Sequence, residues 1–156
     1  AFQPLSSLFP DWDLVITGSG SEQGALLRQI KRAGLEQRVF IKAFTVNIEK
    51  EYSQMNIFVL SSRHEGMGIA LAEAQACGVP CVSFDCPSGP SEIITNNIDG
   101  ILVNSEDVQG MTAALKHLIS NPEYREKLAK KAKISANRFK LGNIIAQWEL
   151  LFDKIS

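Results

Sequence analysis

The sequence predicts an α/β fold, with an open, parallel sheet and helices on both of its faces. Short apolar runs, each about the length of one strand, alternate with longer stretches whose apolar residues have helical spacing. This alternation is typical of strand–helix–strand units with right-handed crossovers. The chain has 156 residues, 45% of them hydrophobic, which fits one domain with a core of its own.

Five short apolar runs are predicted to be the strands. In the second run, Val39 and Ile41 alternate with Phe40 and Lys42, whereas the third run is apolar throughout, as in a strand buried on both faces. In chain order the predicted strands are 14–16, 38–43, 57–60, 79–84 and 101–103.

Helices are predicted around these strands from apolar stripes and from end signals. A short first helix ends near Phe9, Asn47 caps a helix that runs to Met55, and Asn121 with Pro122 starts another by a cap followed by proline. Three helices have clear stripes: Leu26, Leu27, Ile30 and Ala33; Met111, Leu115, Leu118 and Ile119, after a start at Ser105 and Val108; and Ile144, Ile145, Trp148, Leu151 and Phe152, after a start at Gly142.

The stretch 61–80 contains an unusual helix. Two glycines open it, almost all of its residues are small or apolar, and Glu73 is its only charged residue after Gly68. The helical neighbours of Glu73 are Ala70, Ala74 and Cys77, and none of them can pair with a carboxylate. Because burial of an unpaired carboxylate costs several kcal/mol, Glu73 either lies at the rim of a crevice or has a partner from outside the helix, such as ligand hydroxyls.

The turn before this helix is suited to an anion. In open parallel sheets, ligands bind beyond the carboxyl ends of the strands, where this turn lies. The free N–H groups of Met67, Gly68 and Ile69 at the helix start, with the helix dipole, favour a phosphate. Glu65 at the loop mouth and Glu73 in the helix would bracket a phosphate-bearing ligand rich in hydroxyls, which describes a sugar nucleotide.

These two acids carry a specific resemblance. Glu65 and Glu73, with seven residues between them, resemble the E-x7-E motif of retaining glycosyltransferases of the GT-B fold, in the large family GT4. Glu65-Gly-Met-Gly and then Glu73-Ala-Gln-Ala-Cys-Gly-Val-Pro follow the pattern of that family, and the similarity extends from about Phe2 to Phe152. The resemblance implies a Rossmann-like domain, the C-terminal half of a GT-B fold, that binds a nucleotide sugar.

The family's site residues are carried over where the motifs match. The resemblance implies that Glu65 acts at the catalytic centre by orienting the hydroxyls of the donor sugar, and that Glu73 binds the ribose hydroxyls. The donor's diphosphate would lie on the turn formed by Gly66, Met67, Gly68 and Ile69. Retention of anomeric configuration is implied, without a metal or other cofactor.

Three further segments are assigned to the donor by the same resemblance. The Gly18–Gly20 turn would lie near the phosphates or the nucleoside, although it is equally a simple loop. Phe44 or Lys42 would pack against the base, with packing in the core as the alternative for Phe44. The loop with Gly89, Pro90 and Ser91 would touch the transferred sugar and phosphate, while Glu92 is either part of that contact or a first-turn acid that favours the helix dipole.

Several function classes are disfavoured. The net charge of −1 gives no electrostatic support for a nucleic-acid partner.

The motif formed by Asp11, Trp12 and Asp13 resembles a metal-binding D-x-D, but it precedes a strand, so a turn is the simpler interpretation. A retaining glycosidase would need two carboxyls ~5 Å apart on opposite sides of a sugar, which a loop and its own helix rarely provide. Cys77, Cys81 and Cys86 cluster at one junction and are expected to be free thiols in a reducing cytosol.

The chain is expected to be an N-terminally truncated donor domain covering residues 1–156. The family's domain opens with one more strand and helix, which carry an Arg and a Lys for the diphosphate, and a separate N-terminal domain binds the acceptor. In the order 3-2-1-4-5-6 the missing strand is central. We expect a chain that is poorly stable, that fills the resulting slot with another segment, or that pairs strand 14–16 directly with strand 57–60.

The predicted reaction is transfer of a hexose or N-acetylhexosamine from a nucleotide sugar to a hydroxyl acceptor. The stretch 84–94 resembles family members that use UDP-galactose, UDP-N-acetylgalactosamine or UDP-glucose to build bacterial surface polysaccharides. The acceptor would be a saccharide or a lipid-linked saccharide, and the parent protein would act in the cytoplasm, with peripheral membrane association as an option. The alternative is a non-catalytic nucleotide-sugar-binding module or an inactive fragment.

Overall fold

The computed structural model describes residues 1–43 and 45–155. The chain divides into two compact units, Ala1–Ile48 and Glu49–Ser156. Every strand pair within them is parallel, which confirms the predicted α/β class. The strands form two sheets, of which one has the order β1-β2 and the other the order β3-β4-β5.

The first unit is built around a two-stranded sheet. Its elements are α1 Gln3–Leu8, β1 Leu14–Thr17, α2 Gln23–Arg32 and β2 Val39–Lys42, with Leu14 opposite Val39. Leu5, Ile30 and Val39 are buried. Of the predicted α2 stripe, Ile30 alone is buried and Leu27 is 52% exposed, because a two-stranded sheet offers a helix little surface to cover.

The Arg38 side chain binds several groups between α1 and β1. Its guanidinium pairs with Asp13 at 2.9 Å and donates to the carbonyl oxygens of Ser6, Phe9 and Trp12. Asp13 is therefore engaged in a structural ion pair, which agrees with the interpretation of the Asp11–Asp13 motif as a turn before the strand.

The second unit contains a three-stranded sheet with a buried centre. Its strands are β3 Phe58–Leu60, β4 Cys81–Asp85 and β5 Gly100–Asn104. Phe58 pairs with Cys81, and Cys81 pairs with Gly100. The central strand β4 is buried from Cys81 to Phe84, as expected of a parallel strand covered on both faces. The alternative of a direct pairing of 14–16 with 57–60 is not found among the strand pairs of the described residues.

The remaining helices are, in chain order, α3 Ile48–Ser53, α4 Ile69–Ala76, α5 Pro90–Ile93, α6 Val108–Ser120, α7 Pro122–Ser135 and α8 Leu141–Ile155. A 3₁₀ turn at Ala136–Phe139 lies between α7 and α8. α4 and α6 both pack on α7. The predicted α6 stripe is confirmed, since Met111, Leu115, Leu118 and Ile119 are all buried.

Two helix starts differ from their sequence signals. Asp107, and not Ser105, caps α6 by accepting a hydrogen bond from the N–H of Gly110 at 2.8 Å, directly before the first helical residue, Val108. Asn121 and Pro122 do begin α7 as N-cap and first helical residue, but within residues 1–43 and 45–155 the Asn121 side chain forms no capping hydrogen bond. The Asn121 amide instead donates to the carbonyl of His117 at 2.8 Å, where it satisfies an otherwise free acceptor at the end of α6.

The last helix, α8, keeps its predicted stripe but buries none of it. Trp148 and Phe152 are 55% and 54% exposed, and their rings lie 5.8 Å apart. Within residues 1–43 and 45–155, no helix is both long enough and apolar enough to cross a bilayer.

Candidate functional site

Three loops follow the carboxyl ends of β3, β4 and β5. They span 61–68, 86–89 and 105–107. Since the three strands are parallel neighbours, these loops meet at one edge of the sheet, which is where open α/β sheets bind ligands. The predicted Glu65 turn and the Gly89 loop therefore occupy the same edge.

Gly68 makes the turn from the first loop into α4. Its φ is +77°, in the left-handed region. A Cβ at this position would meet side-chain carbons of Leu71 at 3.4 Å, Ile93 at 3.7 Å and Leu60 at 3.8 Å. Gly66 differs, because no atom of residues 1–43 and 45–155 lies within 4 Å of its Cβ position. One glycine thus packs the turn against the core, and the other leaves the loop open.

The amides at this turn are free of protein partners. In the described part of the chain, the N–H groups of Met67, Gly68 and Ile69 donate no hydrogen bond, while the N–H of Leu71 donates to the carbonyl of Gly68 at 2.8 Å. Met67 and Ile69 are both exposed. Such unpaired N–H groups at a helix start favour an anion, as the sequence predicted.

The second loop packs directly on the first. Gly89 has φ +94°, and a Cβ there would lie 2.7 Å from the carbonyl oxygen of Met67. Ser88, just before it, also has a positive φ of 65°, which costs roughly 1–2 kcal/mol for a residue with a Cβ. The loop therefore maintains a strained conformation that brings its backbone against the Met67 peptide.

The helix after this loop is anchored from a distance in sequence. α5 begins with Pro90, which is buried, and Ser91, which is exposed. The Arg138 guanidinium donates to the carbonyls of Glu92 at 2.8 Å and Ile93 at 2.5 Å. Arg138 thereby satisfies the carbonyls that such a short helix leaves free at its end.

The two acids of the motif lie in different environments. Glu65 is half-buried in the loop, and Glu73 is exposed on α4. Neither forms an ion pair within residues 1–43 and 45–155. Glu73 accepts a hydrogen bond from the Tyr52 hydroxyl of α3, with 3.0 Å between the hydroxyl oxygen and Oε2. The carboxylate therefore lies at the surface and has a partner that its own helix does not supply.

Tyr52 is a residue that the sequence analysis missed. It is 3% exposed, and burial, followed by the hydrogen bond and the negative charge of Glu73, raises the pKa of its phenol. The hydroxyl is thus a fixed donor at neutral pH. A signal was present, because Tyr52 is an aromatic residue directly after the three charged residues 49–51.

Arg63 also had no predicted role. Its Nε lies 3.1 Å from Glu106 Oε2, and both side chains are largely exposed. Glu106 itself has φ +62°. This ion pair links the loop after β3 to the loop after β5. Arg63 is the one Arg or Lys between Leu60 and Ile69, and this charge was the available signal.

The remaining predicted residues belong to the sequence of the first unit. Gly18 and Gly20 follow β1, where the N–H of Gly18 donates to the carbonyl of Lys42 at 2.9 Å, and no described atom lies within 4 Å of either glycine's Cβ position. Phe44 lies outside the described residues. The ligand contacts of all three stay predictions.

Two surface depressions of the second unit lie elsewhere, one along α7 from Glu123 to Ile134 and one along α8 from Ile144 to Lys154. Each is lined by residues of a single helix. We assign the candidate site to the loop edge, because its free amides lie in the same turn as Glu65. The three cysteines are free thiols.

Comparison with known proteins identifies the family. A family model described as glycosyl transferases group 1 matches residues 1–135. An uncharacterized glycosyltransferase of Haemophilus influenzae is 30% identical over 148 residues, which are 95% of this chain and 42% of the relative. The amylovoran biosynthesis glycosyltransferase AmsD of Erwinia amylovora is 32% identical over 137 residues, 88% of this chain and 38% of AmsD. The chain thus spans about two fifths of the length of these relatives.

A solved structure agrees in fold. A variant of S. aureus TarM, crystallised with fondaparinux, alpha-GlcNAc-glycerol and UDP, superposes with a TM-score of 0.89 at 26% identity, over 96% of this chain and 31% of that one. The predicted Rossmann-like domain of the GT-B fold is confirmed. The chain belongs to the glycosyl transferases group 1 family.

Proposed function

We propose that this chain is the nucleotide-sugar-binding domain of a retaining glycosyltransferase. The observation that carries the proposal is the combination of three unpaired amides at Met67–Ile69, at the sheet edge, with the carboxylates of Glu65 in the same loop and of Glu73 in the helix that follows. Amides suit a diphosphate, and carboxylates suit the hydroxyls attached to either side of it.

The amides have a direct role in the proposed chemistry. When the sugar leaves, negative charge grows on the nucleoside diphosphate. N–H groups already fixed at Met67, Gly68 and Ile69 stabilise that charge without reorganisation. Loss of one such donor typically costs ~3–4 kcal/mol of transition-state stabilisation.

The two carboxylates bind different parts of the ligand. Glu65, in the loop before the amides, orients the hydroxyls of the donor sugar at the reacting centre. Glu73, about one turn into α4, accepts hydrogen bonds from the ribose hydroxyls. Gly89, Pro90 and Ser91 complete the sugar and phosphate side, with Gly89 supporting the Met67 peptide.

We infer a UDP-sugar donor and a role in bacterial surface polysaccharide synthesis. TarM, similar in fold and 26% identical, was crystallised with UDP, and AmsD is named for amylovoran biosynthesis. The transferred group is a hexose or N-acetylhexosamine, the acceptor is a saccharide or lipid-linked saccharide, and the anomeric configuration is retained. The domain is the C-terminal half of the enzyme, and the acceptor binds elsewhere in the parent protein.

Calorimetry tests this proposal against the alternative of a scaffold without ligand. The chain is titrated with UDP, UDP-glucose and GDP-mannose, and we expect binding with preference for the uridine compounds. Glu73→Ala should weaken binding of UDP, whereas Asp11→Ala, which removes an exposed acid in the turn before β1, should leave it unchanged. Binding that is absent from the chain, or equally affected by both variants, would refute the proposed site. Donor binding without turnover in the parent protein would support the non-catalytic module.

A further inference from the structure

α3 presents one aromatic side chain to the core and holds it firmly. Tyr52 is 3% exposed, and its ring packs edge-to-face on Phe58 of β3, with 5.7 Å between centroids and 71° between planes. This arrangement is favourable for aromatic pairs. With only two side-chain torsions, both restricted by packing, the position of the Tyr52 hydroxyl is determined by the fold.

That hydroxyl holds a side chain that would otherwise be mobile. Glu73 is exposed on α4, and a free glutamate has several rotamers, which cost free energy to order. The bond from Tyr52 to Glu73 Oε2 is 3.0 Å long, and a hydrogen bond to a charged acceptor is among the stronger ones. The second oxygen, Oε1, has no partner in the described residues.

The side chain that holds Glu73 is electrically neutral, and this preserves the charge of the carboxylate. A lysine or arginine in its place would hold the carboxylate but neutralise its charge. The neutral phenol holds Glu73 and leaves the negative charge and one oxygen for a ligand. Because burial and the neighbouring carboxylate raise the pKa of Tyr52, it stays a donor throughout the neutral range.

We propose that Tyr52 is a positioning residue for donor recognition, whose hydroxyl fixes the rotamer of Glu73 so that Oε1 meets the paired hydroxyls of the donor ribose. The inference rests on the proposed function of Glu73. It adds that ribose recognition begins in α3, outside the E-x7-E motif, and that its cost in side-chain ordering is met before the ligand arrives.

The test compares ligands with and without the ribose hydroxyls. UDP and 2′,3′-dideoxy-UDP are titrated calorimetrically into the full chain and into Tyr52→Phe, which keeps the ring and removes the hydroxyl. We expect Tyr52→Phe to weaken UDP about five- to tenfold, as for directly coupled side chains, and to leave the dideoxy compound within about twofold. Equal weakening of both ligands would show a structural role only and overturn the proposal.

Two further variants complete the experiment. Tyr124→Phe is the matched control, because its hydroxyl makes no hydrogen bond in the described residues, and it should change neither affinity. Tyr52→Phe combined with Glu73→Gln should be no weaker for UDP than Glu73→Gln alone, since Tyr52 acts through Glu73; additive losses would contradict this.

The failures of the two proposals are distinguishable. If the unsubstituted chain does not prefer UDP to its dideoxy analogue, the role of Glu73 fails and Tyr52 fails with it. If the preference exists and survives in Tyr52→Phe, only the Tyr52 inference fails. Should Tyr52→Phe not fold, the hydroxyl proton resonance of Tyr52 in the unsubstituted chain decides: it should shift on addition of UDP and not of the dideoxy compound, and identical shifts would overturn the inference.

Discussion

The two loop–helix junctions at the sheet edge look alike in sequence but differ in what their glycines contact. Each junction has a glycine with positive φ just before its helix, Gly68 before α4 and Gly89 before α5. The Cβ position of Gly68 faces the flexible ends of side chains at 3.4 Å or more, whereas that of Gly89 faces the Met67 backbone at 2.7 Å. The first junction carries the free amides and the acids. The second packs against the backbone of Met67, which carries one of those amides.

The largest expected effect comes from Gly89→Ala. The new methyl would overlap the carbonyl of Met67, and because that atom is backbone, the whole turn must move. We expect a loss of about 2–4 kcal/mol in unfolding free energy and a loss of UDP binding by more than tenfold, measured by thermal melting and calorimetry.

Gly142→Ala is the control for that substitution. Gly142 lies in α8 with nothing within 4 Å of its Cβ position, so alanine should be neutral or stabilise the helix by up to about 1 kcal/mol. Equal melting temperatures for the two variants would show that the close approach of Gly89 to Met67 has no consequence.

The next effect separates the acids of the first junction by ligand. Glu73→Ala should weaken UDP and UDP-glucose alike, by about tenfold, the scale of one hydrogen bond to a charged group. Glu65→Ala should weaken UDP-glucose but leave UDP within about twofold, because Glu65 is assigned to the sugar. Calorimetry with both ligands measures this. A Glu65→Ala variant that loses UDP and UDP-glucose equally would place Glu65 on the nucleotide instead.

Gly68→Ala should be milder than Gly89→Ala. The left-handed φ costs alanine roughly 1–2 kcal/mol, but the nearest atom, Leu71 Cδ1, is the end of a flexible side chain and can shift. Thermal melting of the two variants side by side tests the comparison. A Gly68 variant less stable than the Gly89 variant would reverse the proposed division between chemistry and support.

Much of this edge could be predicted from local sequence. The strand positions and the glycine turn at Gly68, directly before α4, follow from short-range signals, namely apolar runs and glycine. The buried stripe of α6 was predictable for the same reason. The apolar stripe of α8 was also predicted from the sequence. Its burial depends on which element packs against it, and hydrophobic periodicity does not predict that element.

The partners of charged residues were not predictable. Tyr52 reaches Glu73 across 21 positions, and Arg138 reaches α5 across 45 or more. Such contacts depend on the packing of helices on the sheet, which sequence spacing does not encode. Asn121 illustrates the same limit over a short distance. Its side chain could cap α7 or bind the end of α6, and it donates to the carbonyl of His117 in α6.

The smallest expected effect provides a reporter at the far end of α4. Cys77 is half-buried, and burial, together with the negative charges of Glu49 and Glu73, raises the pKa of its thiol, against a smaller opposing effect of Lys133. Less thiolate is present at pH 8 than in a free cysteine, so alkylation by iodoacetamide, followed by mass spectrometry, should be slower than that of a model peptide. Glu73→Gln removes one of the charges and should speed the reaction at Cys77, whereas Glu126→Gln, whose partner is Lys130 on α7, should not. Unchanged rates in Glu73→Gln would mean that the Glu73 charge does not reach the end of its helix, and that its influence is confined to the ligand edge.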